Sequence, residues 1–386
     1  MPIKNRFAEW HAEITAWRRG FHQQPELGYD LPQTAEKVAD LCRQFGCDQV
    51  VTGVGRSGVV AVIQGRGQSD RAIALRADMD ALPIDEITGA DHASRIPGQM
   101  HACGHDGHTA MLLGAAKYLC ETRQFAGRAV LIFQPAEEGG AGALAMIQDG
   151  LIERFGISEF YGMHNMPGIA AGKFAIRPGA IMAAADFFTL TLTGRGGHAA
   201  KPQGTIDTAV VSAHVIVALQ SIVSRNVDPL AACVVSICTI TTDSRADNVI
   251  PQTVTLGGTV RTLDPELRDF AQTRVTEIAQ GVAATFGARV DVEYHRGYPV
   301  TMNAPDPTDH AAHAARQVAG DVDMTVDPMM GAEDFSYMLE RRPGAYIFMG
   351  NGDSAGLHHP AYDFNDATIP AGCSWFVQMV EDRMPL

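Results

Sequence analysis

The sequence lacks several features, and each absence narrows the class of protein. No apolar run approaches the roughly 20 residues of a bilayer-spanning helix, so we expect no membrane partner. Asp and Glu number 44 against 30 Lys and Arg, and the net charge is −14. Because no basic cluster offsets this charge, we expect no nucleic-acid partner. The first 22 residues are amphipathic and have no signal-peptide core, which favours the cytoplasm.

Cysteine is scarce, and its spacing gives no sign of a disulfide framework. The seven cysteines are widely spread and form no CxxC motif. The pairs Cys42/Cys47 and Cys233/Cys238 fall within helix-like or strand-like sequence. We therefore expect most of them to be buried thiols in a reducing compartment.

Apolar strands alternate with amphipathic helices in the first part of the chain. The strand-like segments are GVVAVIQG, AIALRADMDALP and AVLIFQ, and helical spacing covers residues 7–23, 34–45, 111–119 and 143–148. This alternation predicts an α/β fold, with helices on the faces of a sheet.

The pattern changes near residue 186. Strand-like and helical segments then follow in the order β-α-β-β-α-β, which is the order of a ferredoxin-like unit. The α/β pattern resumes after about residue 298. We therefore predict two domains: a catalytic domain made of residues 1–185 and 299–386, and an inserted domain of residues 186–298.

Side chains capable of binding metals or moving protons cluster at predicted element ends, before Gly or Pro. In open α/β sheets, sites form at the carboxyl ends of the strands. The clusters are Asp78-Met-Asp80, the stretch HACGHDGHTAM (101–111), Glu137-Glu138, His164 and His358-His359.

A metal site explains these residue types better than the alternatives do. Cys, His and carboxylate are the protein ligands of zinc-like ions, and a dication relieves the repulsion between adjacent glutamates. A helix that starts near Asp106 would favour the thiolate of Cys103. One alternative is a polar helix cap with Asp106 as N-cap. Another is a Cys103 nucleophile with His105 as its base, but it leaves the remaining clusters unexplained.

The sequence resembles the M20 metallopeptidase family, and within it the amidohydrolases that include hippurate hydrolases, N-acyl-amino-acid amidohydrolases and auxin-conjugate hydrolases. The matching motifs extend from residue 18 to about 366. They are RRGFHQQPELG, LRADMDALPIDE, HACGHDGHTAMLLGAA, LIFQPAEEGGAGA, GMHNMPG, GRGGHAAKP, ADNVIP, GTVRT, GAEDFSYM and LHHPAYDFND.

The resemblance implies a zinc-exopeptidase-like catalytic domain with a dinuclear metal centre, and an inserted lid domain that often dimerises. It implies two divalent ions (Zn²⁺ or Mn²⁺, with Co²⁺ or Ni²⁺ as options) bound by five ligands: Cys103, His105, Glu138, His164 and His358. His359 is the alternative to His358. Asp106 then becomes a helix cap, and His101 and His108 become supporting residues.

The resemblance also implies roles around the ligands. Glu137 corresponds to the general acid/base, and Asp80 to the carboxylate that orients a histidine ligand. In the inserted domain, His198 corresponds to the residue that reaches the scissile carbonyl. Asn248 and Arg261 correspond to the residues that hold the substrate carboxylate, so domain closure would complete the site.

The expected reaction is hydrolysis of an N-acyl amino acid to a carboxylic acid and a free amino acid, by a homodimer or higher homo-oligomer. Three alternatives stay open at this point. They are a dipeptidase or aminopeptidase on the same centre, a non-catalytic metal- or amino-acid-binding protein, and a thiol hydrolase.

Overall fold

The computed structural model describes residues 4–386, and the chain divides into two compact units. The first unit contains the residues up to Ile181, Met302–Asp327 and Asp334–Leu386, and the second contains Met182–Thr301 and Pro328–Glu333. The domain limits inferred from the sequence, at 185/186 and 298/299, stay a prediction.

The elements of both units alternate along the chain. The α-helices are α1 (Asn5–His22), α2 (Pro32–Phe45), α3 (His105–Thr122), α4 (Gly142–Gln148), α5 (Leu151–Phe155), α6 (Thr208–Ser221), α7 (Pro265–Thr285), α8 (Pro305–Ala319), α9 (Ser336–Leu339) and α10 (Ile369–Arg383). The strands are β1 (Gln49–Val54), β2 (Gly58–Gln64), β3 (Gly67–Asp78), β4 (Ala126–Gln134), β5 (Glu159–Pro167), β6 (Phe174–Ala175), β7 (Gly179–Met182), β8 (Ala184–Thr193), β9 (Gly197–His198), β10 (Cys233–Thr242), β11 (Val249–Ile250), β12 (Thr253–Thr262), β13 (Arg289–Arg296), β14 (Thr301–Asn303), β15 (Val322–Asp323) and β16 (Gly344–Gly352).

The first unit is built on a mixed sheet with the strand order β1-β2-β4-β3-β5-β16-β6-β15. Its central strands β4, β3, β5 and β16 are parallel, whereas β1 and β2 pair antiparallel. Strands β2, β4, β5 and β16 are buried along nearly their whole length, as expected where helices cover both faces. The carboxyl ends of the parallel strands share one edge, where sites form in such sheets.

The second unit is an antiparallel sheet with the order β10-β12-β8-β13, packed against α6 and α7. In chain order its elements run β8-α6-β10-β12-α7-β13, which is the predicted β-α-β-β-α-β order. Its core includes Leu190, Val215, Leu256 and Val275, all essentially unexposed. The predicted fold class, a two-domain α/β protein with a ferredoxin-like insertion, is confirmed.

Two elements near the predicted ligands are longer than the sequence pattern indicated. Helix α3 begins at His105, well before residue 111, because Gly104 adopts the left-handed conformation (φ 86°) that starts the helix there. Strand β5 does not end before His164 but continues to Pro167, because His164 pairs with Phe348 of the buried strand β16.

One segment departs from the expectation that no run is long and apolar enough to span a membrane. Thr208–Asn226, which is α6 and the turn after it, meets that test by length and composition, with a mean hydropathy of 1.4. Its residues Val211, Val215 and Leu219 lie in the core of the second unit. The segment is therefore a core helix of this unit with an exposed apolar side.

Candidate metal centre

Cys103 and His105 lie where the chain enters α3, beside the end of β3. Gly104 between them has no space for a side chain, since an added Cβ would lie 2.3 Å from Asn165 Nδ2 and 2.5 Å from the Tyr362 hydroxyl. His105 Nδ1 lies 2.9 Å from the main-chain oxygen of Asp80. Because this oxygen can only accept, Nδ1 carries a proton, and Nε2 is the nitrogen left to face a metal ion.

His164 presents its imidazole in the same way. Its Nδ1 donates to the main-chain oxygen of Asn165 at 2.6 Å, and its Nε2 lies 3.4 Å from Cys103 Sγ. Burial, reinforced by the neighbouring His108, holds the pKa of His164 well below its usual value. His164 is therefore neutral, which is the form that binds metal ions.

Glu138 and His358 form the opposite side of the cluster. Glu138 Oε1 lies 3.2 Å from His358 Nε2. His358 has φ 62°, and its main-chain N–H donates to Ala102 O at 2.8 Å, so it lies beside the Cys103 segment. The Nδ1 of His359 instead accepts from the Ala361 N–H at 3.0 Å, within its own segment. Of the two adjacent histidines, His358 faces the cluster.

These side chains form overlapping groups whose potential ligand atoms lie within 4.8 Å of one another. One group is Cys103, His105 and His164, and another is Cys103, Glu138 and His358. The five residues could therefore hold two metal ions, and Cys103 belongs to both ligand groups.

The electrostatics of the cluster fit bound cations. His105 Nε2 is buried and has no hydrogen-bond partner among residues 4–386. Burial lowers the pKa of His105, but Asp78 and Asp80 outweigh it and raise the pKa to about 10. Burial and then Glu138 and Glu137 hold the pKa of the Cys103 thiol well above its usual value. A dication reverses this, because it stabilises both the thiolate and the neutral imidazole.

Asp80 holds the adjacent glutamates in place. Its two carboxylate oxygens accept from the main-chain N–H groups of Glu137 and Glu138, each at 3.0 Å. Its contact with His105 is through the main-chain oxygen, whereas its carboxylate is 3.5 Å from His105 Nδ1. Asp80 thus orients the glutamate pair more directly than it orients the histidine.

Glu137 is buried, with 7% of its surface exposed. One carboxylate oxygen lies within 4.8 Å of ligand atoms of His105 and Glu138. A carboxylate held at this distance can receive and return a proton at the centre.

The site residues predicted in the second unit do not form one cluster within that unit. His198 and Asn248 are exposed neighbours on the ribbon of β9 and β11, where the Ala199 N–H donates to Asn248 O at 3.0 Å. Arg261 is half-buried on β12, and its guanidinium lies 5.5 Å from the ring centroid of Phe187. Strand β12 extends for about 26 Å from Thr253, near the ribbon, to Arg261.

The prediction that Asp106 caps α3 is wrong. The N-cap is Gly104, and no side chain caps the helix. The Asp106 carboxylate is buried, with Oδ2 2.8 Å from both Arg18 Nε and His22 Nδ1. The carboxylate turns away from the backbone because these two cationic groups of α1 attract it.

Behind the ligands is a network that the sequence interpretation missed in part. His108 Nδ1 donates to Asp78 Oδ1 at 2.6 Å, and its Nε2 accepts from Asn165 N at 2.9 Å. Asn165 also donates to Cys103 O at 2.7 Å and accepts from the Tyr362 hydroxyl at 2.5 Å. His108 is thereby placed as a supporting residue. Asn165 and Tyr362 could have been noticed only from their proximity to His164 and His358.

Asp334 is a further buried carboxylate near the centre. It accepts from Arg76 Nη2 at 3.0 Å, from Gln134 Nε2 at 2.8 Å and from Ala143 N at 2.9 Å. It therefore fixes the ends of β3 and β4 behind the Glu137-Glu138 turn.

Comparison with known proteins identifies the family to which the chain belongs. It is 41% identical over 381 residues to a hippurate hydrolase of Campylobacter jejuni, covering 98% of each chain. It is also 41% identical to an N-acetyl-L-cysteine deacetylase of Bacillus subtilis, covering 92% of this chain and 85% of the relative. A solved structure of the B. subtilis YXEP protein, described as a dinuclear metal-binding peptidase from the M20 family, superposes with a TM-score of 0.87. That protein is 31% identical, and the match covers 98% of this chain and 99% of that one. Residues 74–382 match peptidase family M20/M25/M40, and the chain belongs to this family.

Proposed function

We propose that the chain is a metal-dependent amidohydrolase that cleaves the amide bond of N-acyl amino acids, giving a carboxylic acid and a free amino acid. The observation that carries the proposal is the pair of ligand groups that share Cys103, with the buried carboxylate of Glu137 beside them. This arrangement suits two divalent ions, Zn²⁺ or Mn²⁺ and otherwise Co²⁺ or Ni²⁺. The names of the relatives, which include a hippurate hydrolase and an N-acetyl-L-cysteine deacetylase, support an N-acyl amino acid as substrate.

The proposed chemistry divides between the metal ions and the chain. Bound ions would lower the pKa of a water and polarise the amide carbonyl. Glu137 takes a proton from the water as its oxygen bonds to the carbonyl carbon, and delivers that proton to the nitrogen as the carbon–nitrogen bond breaks. Asp80 fixes the positions of Glu137 and Glu138 by accepting hydrogen bonds from their main-chain N–H groups. His198 stabilises the developing oxyanion, and Asn248 and Arg261 hold the substrate carboxylate.

The chain is further proposed to act as a homodimer in the cytoplasm, with no nucleic-acid or membrane partner. Helix α6 exposes Val210 (48%) and Val217 (72%), and the neighbouring edge strand β10 exposes Ile240 (60%). Exposed apolar faces and unpaired edge strands of this kind are usually covered by another chain. A second copy would also explain how Arg261 and the His198/Asn248 ribbon could act on one substrate. The length of β12 keeps them too far apart within one copy to touch the same small molecule.

A substrate panel tests the proposed function. The chain, loaded with Zn²⁺, Mn²⁺ or Co²⁺, is assayed with N-acetyl-, N-benzoyl- and indole-acetyl-amino acids, and with glycyl dipeptides as the comparison. We expect turnover of at least one N-acyl amino acid and much slower cleavage of the dipeptides. Faster cleavage of the dipeptides would favour the dipeptidase alternative, and no turnover with any metal would favour a binding protein.

A further inference from the structure

The motif RRGFH on α1 contributes none of the proposed ligands, yet it brings a cation into the protein interior. Arg18 and His22 are both unexposed. Burying a guanidinium is costly unless carboxylates surround it, so the partners of Arg18 show what its charge stabilises.

The partners of Arg18 come from two different segments of the chain. Its Nε lies 2.8 Å from Asp106 Oδ2, and Asp106 directly follows His105 at the start of α3. Its Nη2 lies 2.8 Å from Asp363 Oδ1, and its Nη1 lies 3.6 Å from Asp366 Oδ1. Both of these aspartates follow the His358 segment. The buried guanidinium of Arg18 therefore contacts one residue that directly follows His105 and two residues that follow the His358 segment.

Packing couples the same two segments. The guanidinium lies 5.6 Å from the ring centroid of Phe364, and a Cβ added to Gly107 would lie 2.3 Å from that ring. His22 reinforces the contact with α3, because its Nδ1 donates to Asp106 Oδ2 at 2.8 Å. The main-chain bond from His358 N to Ala102 O joins the segments a second time.

We infer that Arg18 is a positioning residue that fixes the His358 segment against the Cys103-His105 segment and so sets the spacing of the metal ligands. The inference rests on the proposed function only in taking these residues as ligands. The Arg18 guanidinium lies within 3.6 Å of three carboxylates and forms a directed hydrogen bond with one of them, Asp363. A lysine ammonium carries its charge on one atom and cannot contact all three in this way. Loss of Arg18 therefore loosens the ligand set without removing a ligand.

Arg19 provides a matched control, since it is the adjacent arginine on the same helix. Its Nε pairs with Asp366 Oδ2 at 2.9 Å, but its side chain is 47% exposed, and its ion pair is with the Asp366 segment and not with Asp106. A second control, Val38→Ala, removes buried core volume on α2 away from the network. It reports what a general loss of stability does to metal binding.

The test measures Zn²⁺ affinity on the full chain by competition with a chromogenic chelator, and the visible spectrum of the Co²⁺ form. We expect Arg18→Met to weaken Zn²⁺ binding by about 10- to 100-fold, as for other residues that orient ligands, and to alter the cobalt spectrum. Arg18→Lys should restore part of the affinity. Arg19→Met and Val38→Ala should stay within about twofold of the wild type. Wild-type affinity in Arg18→Met, or an equal loss in Val38→Ala, would overturn the inference.

If Arg18→Met does not fold, Asp363→Asn replaces it as the test variant. It weakens the ion pair between Arg18 and Asp363 by changing a side chain that is 42% exposed, not a buried one. It should weaken Zn²⁺ binding severalfold, and wild-type affinity in both Asp363→Asn and Arg18→Lys would overturn the inference. These measurements need no substrate. A wild-type chain that binds two ions but hydrolyses none of the panel would refute the proposed function and leave the Arg18 comparison intact.

Discussion

Glu137 and Glu138 are adjacent in sequence, but their surroundings differ, as the different tasks proposed for them require. Glu138 Oε1 faces His358 Nε2, and burial raises the pKa of Glu138 less than His358 and His105 lower it, so it stays a carboxylate. Glu137 is buried near His105 and Glu138 but belongs to neither group that contains Cys103. At the residue scale the structure therefore supports a ligand and a proton carrier side by side.

Exchanging each glutamate for glutamine separates these tasks. Glu137→Gln should lower kcat by about 10²- to 10⁴-fold and retain both ions, because an amide cannot carry the proton. Glu138→Gln should instead lower the number of ions bound per chain. The measurements are steady-state kinetics on the best N-acyl amino acid and elemental analysis of the same samples. Normal hydrolysis by Glu137→Gln would remove its assignment as acid/base.

Single residues were predictable where chemistry limits the choice. Residue chemistry alone indicated a metal site, because few side chains bind zinc-like ions. The choice of Cys103, His105, Glu138, His164 and His358 as ligands came from the family resemblance and stays a prediction. The geometry of Asp106 could not be predicted, since an acidic residue at a helix start suits a cap equally well. Its contact with Arg18 and His22 depends on α1, which is distant in sequence. The hydrogen bonds of Asn165 to His108, Cys103 and Tyr362 likewise depend on segments that are distant in sequence and meet only in the folded chain.

At the scale of the elements, strand β5 carries a candidate ligand near one end and a buried ion pair at the other. Near its carboxyl end it holds His164, and at its start Glu159, 8% exposed, pairs with Arg383 of α10 at 2.7 and 2.9 Å. Arg71 of β3 and the Tyr161 hydroxyl also donate to this carboxylate. Glu159 therefore links β5, the strand that carries His164, to β3 and to α10.

This link predicts a pH dependence of stability. Burial raises the pKa of Glu159, but hydrogen bonds from Arg383, Tyr161 and Arg71 outweigh it, and the pKa falls from 4.5 to about 2. Because the folded-state pKa is below the unfolded value, the stabilisation is complete above about pH 4.5 and is lost as the pH falls toward 2. We expect this carboxylate to contribute about 3 kcal/mol to the free energy of unfolding.

Urea unfolding of the wild type and Glu159→Gln between pH 7 and pH 3 measures this contribution. At pH 7 the variant should be less stable by about 3 kcal/mol, since Arg383 loses its charged partner. The difference should shrink as the pH falls. A difference that stays constant with pH would show that the charge of Glu159 is not what stabilises the strand.

The elements themselves were largely predictable from apolar periodicity. The pattern identified α1, α2, α7 and all four strands of the second unit's sheet, because each has one clear apolar face or run. It failed at the start of α3 and the end of β5. There His105, Asp106 and His164 are buried polar residues, so they interrupt an apolar pattern without ending the element.

At the scale of the whole molecule, the exposed apolar side of α6 predicts that the protein forms a dimer through this surface. Val217→Asp places a charge on that side and should raise the dimer dissociation constant by at least about 100-fold, because the charge would be desolvated in the interface. Light scattering during size exclusion measures the mass. Ile87→Asp, at a 67% exposed site of the first unit, is the matched control and should leave the mass unchanged. A monomeric wild type, or a Val217→Asp chain that stays dimeric, would contradict the proposed interface.

In the proposed mechanism, two metal ions held by ligand groups that share Cys103 carry out the hydrolysis. Its most direct test is to strip the chain with a chelator and restore Zn²⁺ or Co²⁺ stepwise while following hydrolysis of benzoyl-glycine, the substrate in the name of the Campylobacter relative. We predict no activity in the stripped chain and full activity at two ions per chain, with a thiolate-to-cobalt band that Cys103→Ser abolishes. Full hydrolysis by the stripped chain, or saturation at a single ion, would contradict the account.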